Sequence, residues 1–375
     1  MNIKLLLQEM LDQQASDIHL KVGSPPLWRI DGNLVNFGDD KLNTEQIEAI
    51  ANSLMTDEQK KKFKEVKQID AAYDINEWRL RGNLCHQKGT IAIALRVIPQ
   101  KINTFEELHL PQILKTISLE SRGLILVTGT AGSGKSTTMA AMINYININQ
   151  NKNIVTIEDP IEYVHNDAKS CVSQREVRVD VDSFADALTN VLRQDPDVVM
   201  VGEMRDYETI RAAVNAAETG HMVISSLHTI EASQTVDRII DTFPAEQHSQ
   251  IRGQMASILT AVISLRLIPM ASGTGRVPAV EVLRATPTIR SLIREQKTSQ
   301  LRQAIQSGGN QYGMQTFDQS LLELYKIGLI SMESALAEAT SPTDLKMSMD
   351  GIVTGGITPG GVGISSTGFT KKKQG

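Results

Sequence analysis

The residues Gly129-Thr130-Ala131-Gly132-Ser133-Gly134-Lys135-Ser136 read G-x-x-x-x-G-K-S, a spacing suited to holding phosphate groups. The apolar run Gly123 to Val127 leads into them, and a helix-compatible segment from Thr137 to about Ile148 follows. That strand–loop–helix order is the context the motif requires. Backbone N–H groups of Thr130, Ala131, Gly132, Ser133, Gly134, Lys135, Ser136 and Thr137 can then converge on one anion, aided by the positive end of the helix. In this arrangement Lys135 reaches the β- and γ-phosphates of ATP, and the Ser136 hydroxyl ligates Mg²⁺.

Phosphoryl transfer to water also needs a positioned nucleophile, a metal and positive charge on the transferred group. The residues with that chemistry stand at the ends of apolar strands. Ile154–Ile157 runs into Glu158-Asp159-Pro160-Ile161-Glu162, Val198–Val201 into Gly202-Glu203, and Met222–Leu227 into His228-Thr229. Glu203 follows four apolar residues, as the acidic residue of a Walker B strand does, and can hold Mg²⁺ directly or through water. Glu162 can orient or deprotonate the attacking water. His221 and His228 bracket the last of these strands, with His228 toward the γ-phosphate. Seven residues of strand span over ~20 Å, too far for the two to share a metal.

Near-continuous apolar strands separated by helices imply a parallel sheet buried on both faces, with ligands beyond the strands' carboxyl ends. Ser183–Gln194 and Asp206–Ala217 read as helices with Ser183 and Asp206 as N-caps. Ala232–Phe243 reads as a third. Ala245 to about Leu267 reads as one long helix, with Ile251, Ile258, Leu259, Val262 and Leu265 as its apolar stripe. After a turn at Ala271–Gly275, Val277–Leu283 reads as a strand.

The first hundred residues have a different texture. Residues 2–14 have an amphipathic helical pattern, Ser16–Leu20 and Leu27–Ile30 alternate as strands, and Asp31-Gly32-Asn33 closes the second. Helices from Thr44 to Leu54 and Thr56 to Val66 precede two further strands, near Trp78–Cys85 and Thr90–Ile98. Arg81, Asn83 and Cys85 share one face of their strand. Arg81 and Arg96 are either solvated strand residues or charge donors to a bound nucleotide, and periodicity does not choose between these.

The 375-residue chain is 41% hydrophobic and 22% charged, which fits a globular chain of two domains. A net charge of −5 with no long basic block argues against nucleic acid as the main partner. Two cysteines, Cys85 and Cys171, form no C-x-x-C pattern, and a reducing cytoplasm is expected. No apolar run has the length to cross a bilayer, so membrane contact is expected to be peripheral.

Three further segments carry a family resemblance. Thr156-Ile157-Glu158-Asp159-Pro160-Ile161-Glu162-Tyr163 resembles the Asp box of secretion and type IV pilus ATPases. Leu192-Arg193-Gln194-Asp195-Pro196-Asp197, continuing to Gly202-Glu203-Met204-Arg205-Asp206, resembles their Walker B segment, and Ala217–His221 with Leu227-His228-Thr229 their His box. Ala15–Leu20 is similar to the start of their PAS-like N-terminal domain. The resemblance spans nearly all of residues 1–350 and is nearest to the PilT-type retraction branch of the GspE/PilT superfamily.

The resemblance implies an α/β fold: a RecA-like P-loop NTPase core with a smaller N-terminal α+β (PAS-like) domain and C-terminal helices. Domains are expected at 1–98 and 112–350, joined by a linker at 99–111. It further implies a cytoplasmic homohexamer, peripheral at the inner membrane, that retracts pili using ATP and Mg²⁺. An inner-membrane PilC-type platform protein and a second retraction ATPase are the implied partners. It gives Glu162 the water-activating role and Glu203 the metal, and matches Arg81 and Arg96 to arginines that reach the phosphates. Lys135, His228 and His221 join the nucleotide site. Extension ATPases carry an extra N-terminal domain and a tetracysteine zinc site, neither expected here. Thr288-Ile289-Arg290-Ser291-Leu292-Ile293-Arg294-Glu295 resembles the retraction-associated A-I-R-N-L-I-R-E, with Thr288 for Ala and Ser291 for Asn. The alternatives are a PilU-like accessory ATPase and a nucleotide-gated scaffold with little turnover.

Toward the C-terminus, Thr316 with Gln319 and Ser341 with Asp344 have capping-box spacing, with Pro342 at a first helical position. Residues 351–375, rich in Gly, Ser and Thr and ending near Lys371-Lys372-Lys373, are expected to be disordered.

Overall fold

The computed structural model describes residues 3–13, 15–30, 33–75, 78–98 and 101–351. The expected turn residues Asp31 and Gly32, the first linker residues Pro99 and Gln100, and residues 352–375 lie outside the described residues. Two compact units emerge: Met1–Lys101 with Pro160–Val164, and Ile102–Asp159 with His165–Gly375.

In the first unit, helix α1 (Ile3–Asp12) is followed by β1 (Asp17–Lys21), β2 (Leu27–Ile30) and β3 (Asn33–Asn36). Helices α2 (Thr44–Leu54) and α3 (Asp57–Val66) each start at a capping box, Asn43 with Gln46 and Thr56 with Gln59. Strands β4 (Gln68–Ile75), β5 (Trp78–Gln87) and β6 (Thr90–Val97) complete an antiparallel sheet in the order β3-β2-β1-β6-β5-β4. Its helical face buries Ile18, Leu20, Leu80, Leu84, Ile93 and Leu95. β3 and β4 escape sequence reading for separate reasons. β3 is exposed at every position and shows no alternation. β4 follows α3 through Lys67 alone, whose left-handed conformation (φ 62°) turns the chain without a glycine.

In the second unit, α4 (Ile113–Ser118) precedes β7 (Gly123–Thr128), α5 (Lys135–Asn149), β8 (Asn153–Glu158) and β9 (Cys171–Glu176). Then come α6 (Phe184–Val191), β10 (Val198–Val201), α7 (Tyr207–Glu218), β11 (Met222–Leu227), α8 (Ala232–Asp241), α9 (His248–Ile258), β12 (Leu259–Pro269) and β13 (Arg276–Arg284). The chain ends in α10 (Pro287–Arg294), α11 (Leu301–Ser307), α12 (Gly309–Tyr312), α13 (Phe317–Lys326), α14 (Met332–Glu338) and α15 (Pro342–Met349). The sheet order is β13-β12-β7-β11-β10-β8-β9, parallel except at β13. Residues alternate across it: Leu124 and Leu126 pack with the helices that follow β9, whereas Ile125 and Val127 pack against α4 and α5. Each such buried aliphatic side chain contributes roughly 1.5–3 kcal/mol relative to exposure.

The expected long helix from Ala245 to Leu267 is corrected. α9 ends at Ile258, Leu259 is extended (φ −57°, ψ 127°), and β12 continues to Pro269. A run that is apolar at nearly every position satisfies a helical stripe and a doubly buried strand equally, so periodicity cannot separate them. The sheet separates them. Without β12, the edge of β7 would carry unpaired backbone groups; instead β12 pairs β7 in parallel and β13 antiparallel.

The C-terminal caps also divide. Thr316 and Gln319 form the capping box at α13, but Ser341 makes no backbone cap at α15. Its hydroxyl instead donates to Asp344 Oδ2 at 2.6 Å. α13 rests on β13, burying Phe317, Leu321 and Leu322 against Val277 and Ala279.

Candidate functional site

The phosphate loop lies between β7 and α5. Gly129, Gly132 and Gly134 take φ values of 145°, 75° and 96°, conformations that side chains resist. Gly134 caps α5, so the first-turn N–H groups have no intrahelical acceptor and face the loop. The Ser133 hydroxyl is buried without a hydrogen-bond partner among the described residues, and its chemistry suits donation to a phosphate oxygen. Lys135 folds back, donating from Nζ to the carbonyls of Gly129 (2.8 Å) and Thr130 (2.9 Å).

Two neighbouring strand ends complete the cluster. Ser226 Oγ donates to Gly202 O at 2.7 Å and Met204 N to Ser226 O at 3.1 Å, tying the end of β10 to that of β11. This places Glu203 beside His228, with His228 Nε2 2.8 Å from Glu203 Oε1. His228 Nδ1 lies 3.5 Å from Lys135 Nζ. Lys135, His228 and Glu203 therefore form one connected chain.

Arg205 joins it, with Nε 2.6 Å from the same Glu203 oxygen. Arg205 and His228 thus converge on a single carboxylate oxygen at the end of β10. Burial pushes the Glu203 carboxyl up, but contact with Arg205 and the charges of His228, Arg205 and Lys135 outweigh it and hold it below the usual carboxylate range. Arg205 stands inside the Gly202–Asp206 segment, yet sequence gave no sign that it turns back onto Glu203.

His221 precedes β11, at the end away from the phosphate loop, and its Nδ1 contacts Ala216 O (3.0 Å) and Thr219 Oγ1 (3.1 Å). Within this chain it is not brought to the loop. Glu162 is exposed and belongs to the unit that holds Arg81 and Arg96. Those two arginines are cross-strand partners on β5 and β6, both exposed. Directly opposed like charges are unfavourable, and Asp17 offsets the cost by accepting from Arg96 Nε at 2.6 Å. Arg29 adds a contact to Asp17 at 3.8 Å from the other side. Burial pushes the Asp17 carboxyl up, while the Ser16 hydroxyl, Arg96 and His19 bring it below its ordinary value. Arg29 was missed because its place in the row depends on the β1–β2 register, which alternation alone does not set.

A model of the type II/IV secretion system proteins matches residues 1–331. The chain belongs to this family. It is 46% identical over 343 residues to the type IV pilus retraction ATPase PilT of Pseudomonas aeruginosa, across 91% of this chain and 99% of the relative. To the type IV pilus ATPase PilU of the same organism it is 40% identical over 348 residues, covering 92% and 91%. Its structure is similar to the crystal structure of the pilus retraction motor PilT with bound ADP, with a TM-score of 0.86 at 44% identity over 92% and 99% of the two chains. This member of the secretion family is an α/β ATPase with a RecA-like core, a smaller N-terminal unit and C-terminal helices.

The arginines of the family-like segment Thr288–Glu295 part company in the fold. Arg290 Nη1 donates to the last carbonyls of α9, Ala256 O (2.5 Å) and Ser257 O (2.7 Å), whereas Arg294 is exposed. Arg290→Ala is expected to lower stability by about 1–2 kcal/mol, and Arg294→Ala by less than about 0.5 kcal/mol. Denaturant melts of the two variants check this ordering.

Proposed function

We propose that this chain is a motor ATPase that drives type IV pilus retraction, acting as a homohexamer against an inner-membrane platform protein. The supporting observation is end-to-end likeness to PilT, 91% of one chain on 99% of the other, with the Lys135–His228–Glu203 cluster assembled at the phosphate loop. Among the described residues no helix is long and apolar enough to cross a membrane, so attachment through a partner suits the reading.

Ser136 and Glu203 suit Mg²⁺, which takes oxygen ligands and keeps several waters and phosphate oxygens rather than a full protein cage. The Glu203 carboxylate, held beside His228 and Lys135, offers oxygens of this kind. When bound, the ion neutralises charge developing on the phosphates. Lys135 leaves the loop carbonyls for the β- and γ-phosphates, and Ser133 donates to a phosphate oxygen. Glu162 orients the attacking water, while Arg81 and Arg96 supply positive charge to the transferred group. The reading keeps 1–98 and 112–350 as the two domains, with 99–111 as the linker.

The test is a count of surface pili in the native host after deletion of the gene. Excess pili on cells without twitching motility are expected. Bald cells would show that the chain powers assembly. Normal numbers with weakened movement would favour an accessory role like that of PilU, to which the chain is 40% identical.

A further inference from the structure

Glu281 stands inside β13 with 5% of its surface exposed, and the phosphate loop makes no direct use of it. Its cross-strand partner on β12 is Ser264, which accepts from Thr128 Oγ1 at 2.8 Å. Thr128 is the last residue before Gly129. A buried polar row therefore crosses three strands beside the phosphate loop. On its other side, Glu281 Oε1 accepts the N–H of Ala232 at 2.8 Å.

Ala232 opens α8, and the segment joining it to β11 is His228 to Glu231. The N–H groups of a helix's first turn have no partner within the helix. Glu231, the N-cap residue, makes no side-chain cap bond, so Glu281 supplies the cap from the sheet. Glu281 thus fixes the far end of the short loop that carries His228 between Lys135 and Glu203.

Charged groups face it from each element packed around it. Glu231 lies at the start of α8, and Arg266 of β12 is 3.7 Å from Glu231 and stacks on Phe317 of α13. Arg302 of α11 is held at 2.9 Å by Asp318 of α13. Burial is the largest influence and pushes the carboxyl up to about 7; the Ala232 bond, Arg266 and Arg302 oppose it, and Glu231 reinforces it.

We propose that Glu281 is a positioning residue for ATP hydrolysis, anchoring the start of α8 and so setting where His228 stands over Lys135 and Glu203. Ionised, it holds Ala232 by a charge-assisted bond roughly twice as strong as a neutral one. Protonated, it holds more loosely. Turnover therefore rises through pH ~7 as the anchor tightens. Stability moves the other way. The folded pKa lies above the unfolded value of about 4.3, so the folded chain keeps a proton that the unfolded chain loses. Its contribution is full below about pH 4.3 and is lost as pH rises through about 7.

The experiment is steady-state ATPase activity of the full chain, wild type and Glu281→Gln, from about pH 6 to pH 8, a span centred on that titration, with thermal melting from about pH 4 to pH 8. Glutamine can still accept from Ala232 but does not ionise. Its kcat is expected to stay near the wild-type acid-side value, roughly threefold to tenfold down at pH 8, with KM for ATP within about twofold. Its Tm is expected to exceed that of wild type at pH 8 and to match it at pH ~4, below the unfolded value. Glu281→Ala, which leaves Ala232 N–H without its partner, is expected to lose more kcat. A Glu281→Gln pH profile that superimposes on wild type would overturn the inference, even if the alanine variant failed to fold. The inference rests on the ATPase reading of the site. Wild type without turnover would fail that reading, whereas an active wild type with an unchanged Glu281→Gln profile fails only the positioning role.

Discussion

Lys135→Ala is expected to lower ATP turnover by about a hundredfold or more while leaving the fold intact. The side chain is buried, yet its contacts to Gly129 O and Thr130 O are made within the loop it closes over. Removing it therefore takes away a positive charge meant for the phosphates and little of the core. A preorganised cation aimed at charge that develops during transfer typically contributes at this scale in a site with reduced water access. The His228 contact should change as well, since Lys135 Nζ lies 3.5 Å from its ring. The measurement is kcat beside a melting curve. Wild-type turnover in a folded Lys135→Ala chain would sink the assignment of this loop to catalysis.

Gly129→Ala has the largest expected effect on the structure itself. A Cβ at Gly129 would lie 2.6 Å from Leu265 O and 2.4 Å from Ser133 Oγ, at a φ of 145° that L-residues rarely adopt. Ser133 can rotate away. Leu265 cannot, because it lies within β12, paired with Val280 of β13 and next to Ser264, which pairs Thr128 of β7. Strain and displacement together should cost about 3 kcal/mol and lower Tm by at least about 5 °C, with loss of nucleotide binding as the loop opens. Gly132→Ala is the control: its Cβ would meet nothing within 4 Å, although its φ of 75° remains unfavourable. It should cost about 1 kcal/mol. Equal Tm losses in the two variants would mean that β12 does not press on the loop.

The Gly129 prediction could not have been made from sequence, and the reason is specific. Leu265 belongs to the stretch that reads as the end of a helix, and its role as a wall of the phosphate loop appears only once β12 is a strand. The strands that carry the site were readable because each is a short apolar run with polar residues at its end. Leu124–Val127, Val198–Val201 and Met222–Leu227 fall where the alternation of strands and helices puts them. β9 was not readable: an edge strand of Cys171–Glu176 with mostly polar, partly exposed residues carries little hydrophobic signal. The caps show the same division. Ser183 and Asp206 cap their helices as local spacing predicts, because an N-cap acts over three residues. Ser341 does not, its hydroxyl bonding the Asp344 side chain rather than a backbone N–H.

By itself the sequence determined the chemistry and its class. The spacing from Gly129 to Ser136 dictates a phosphate loop because glycine conformations and a helix start are local properties. The ordered motifs around Glu162, Glu203 and His228 dictate the family. Tertiary structure decided which groups meet. It set Arg205 and His228 on one oxygen of Glu203, Arg81 opposite Arg96 with Asp17 and Arg29 alongside, and Glu281 under the first turn of α8. The Lys135–His228 contact joins residues 93 apart, Glu281–Ala232 residues 49 apart, and Thr128–Ser264 residues 136 apart. Strand order and register bring such pairs together, and hydrophobic periodicity records only which face a residue occupies, not which neighbour it faces across the sheet.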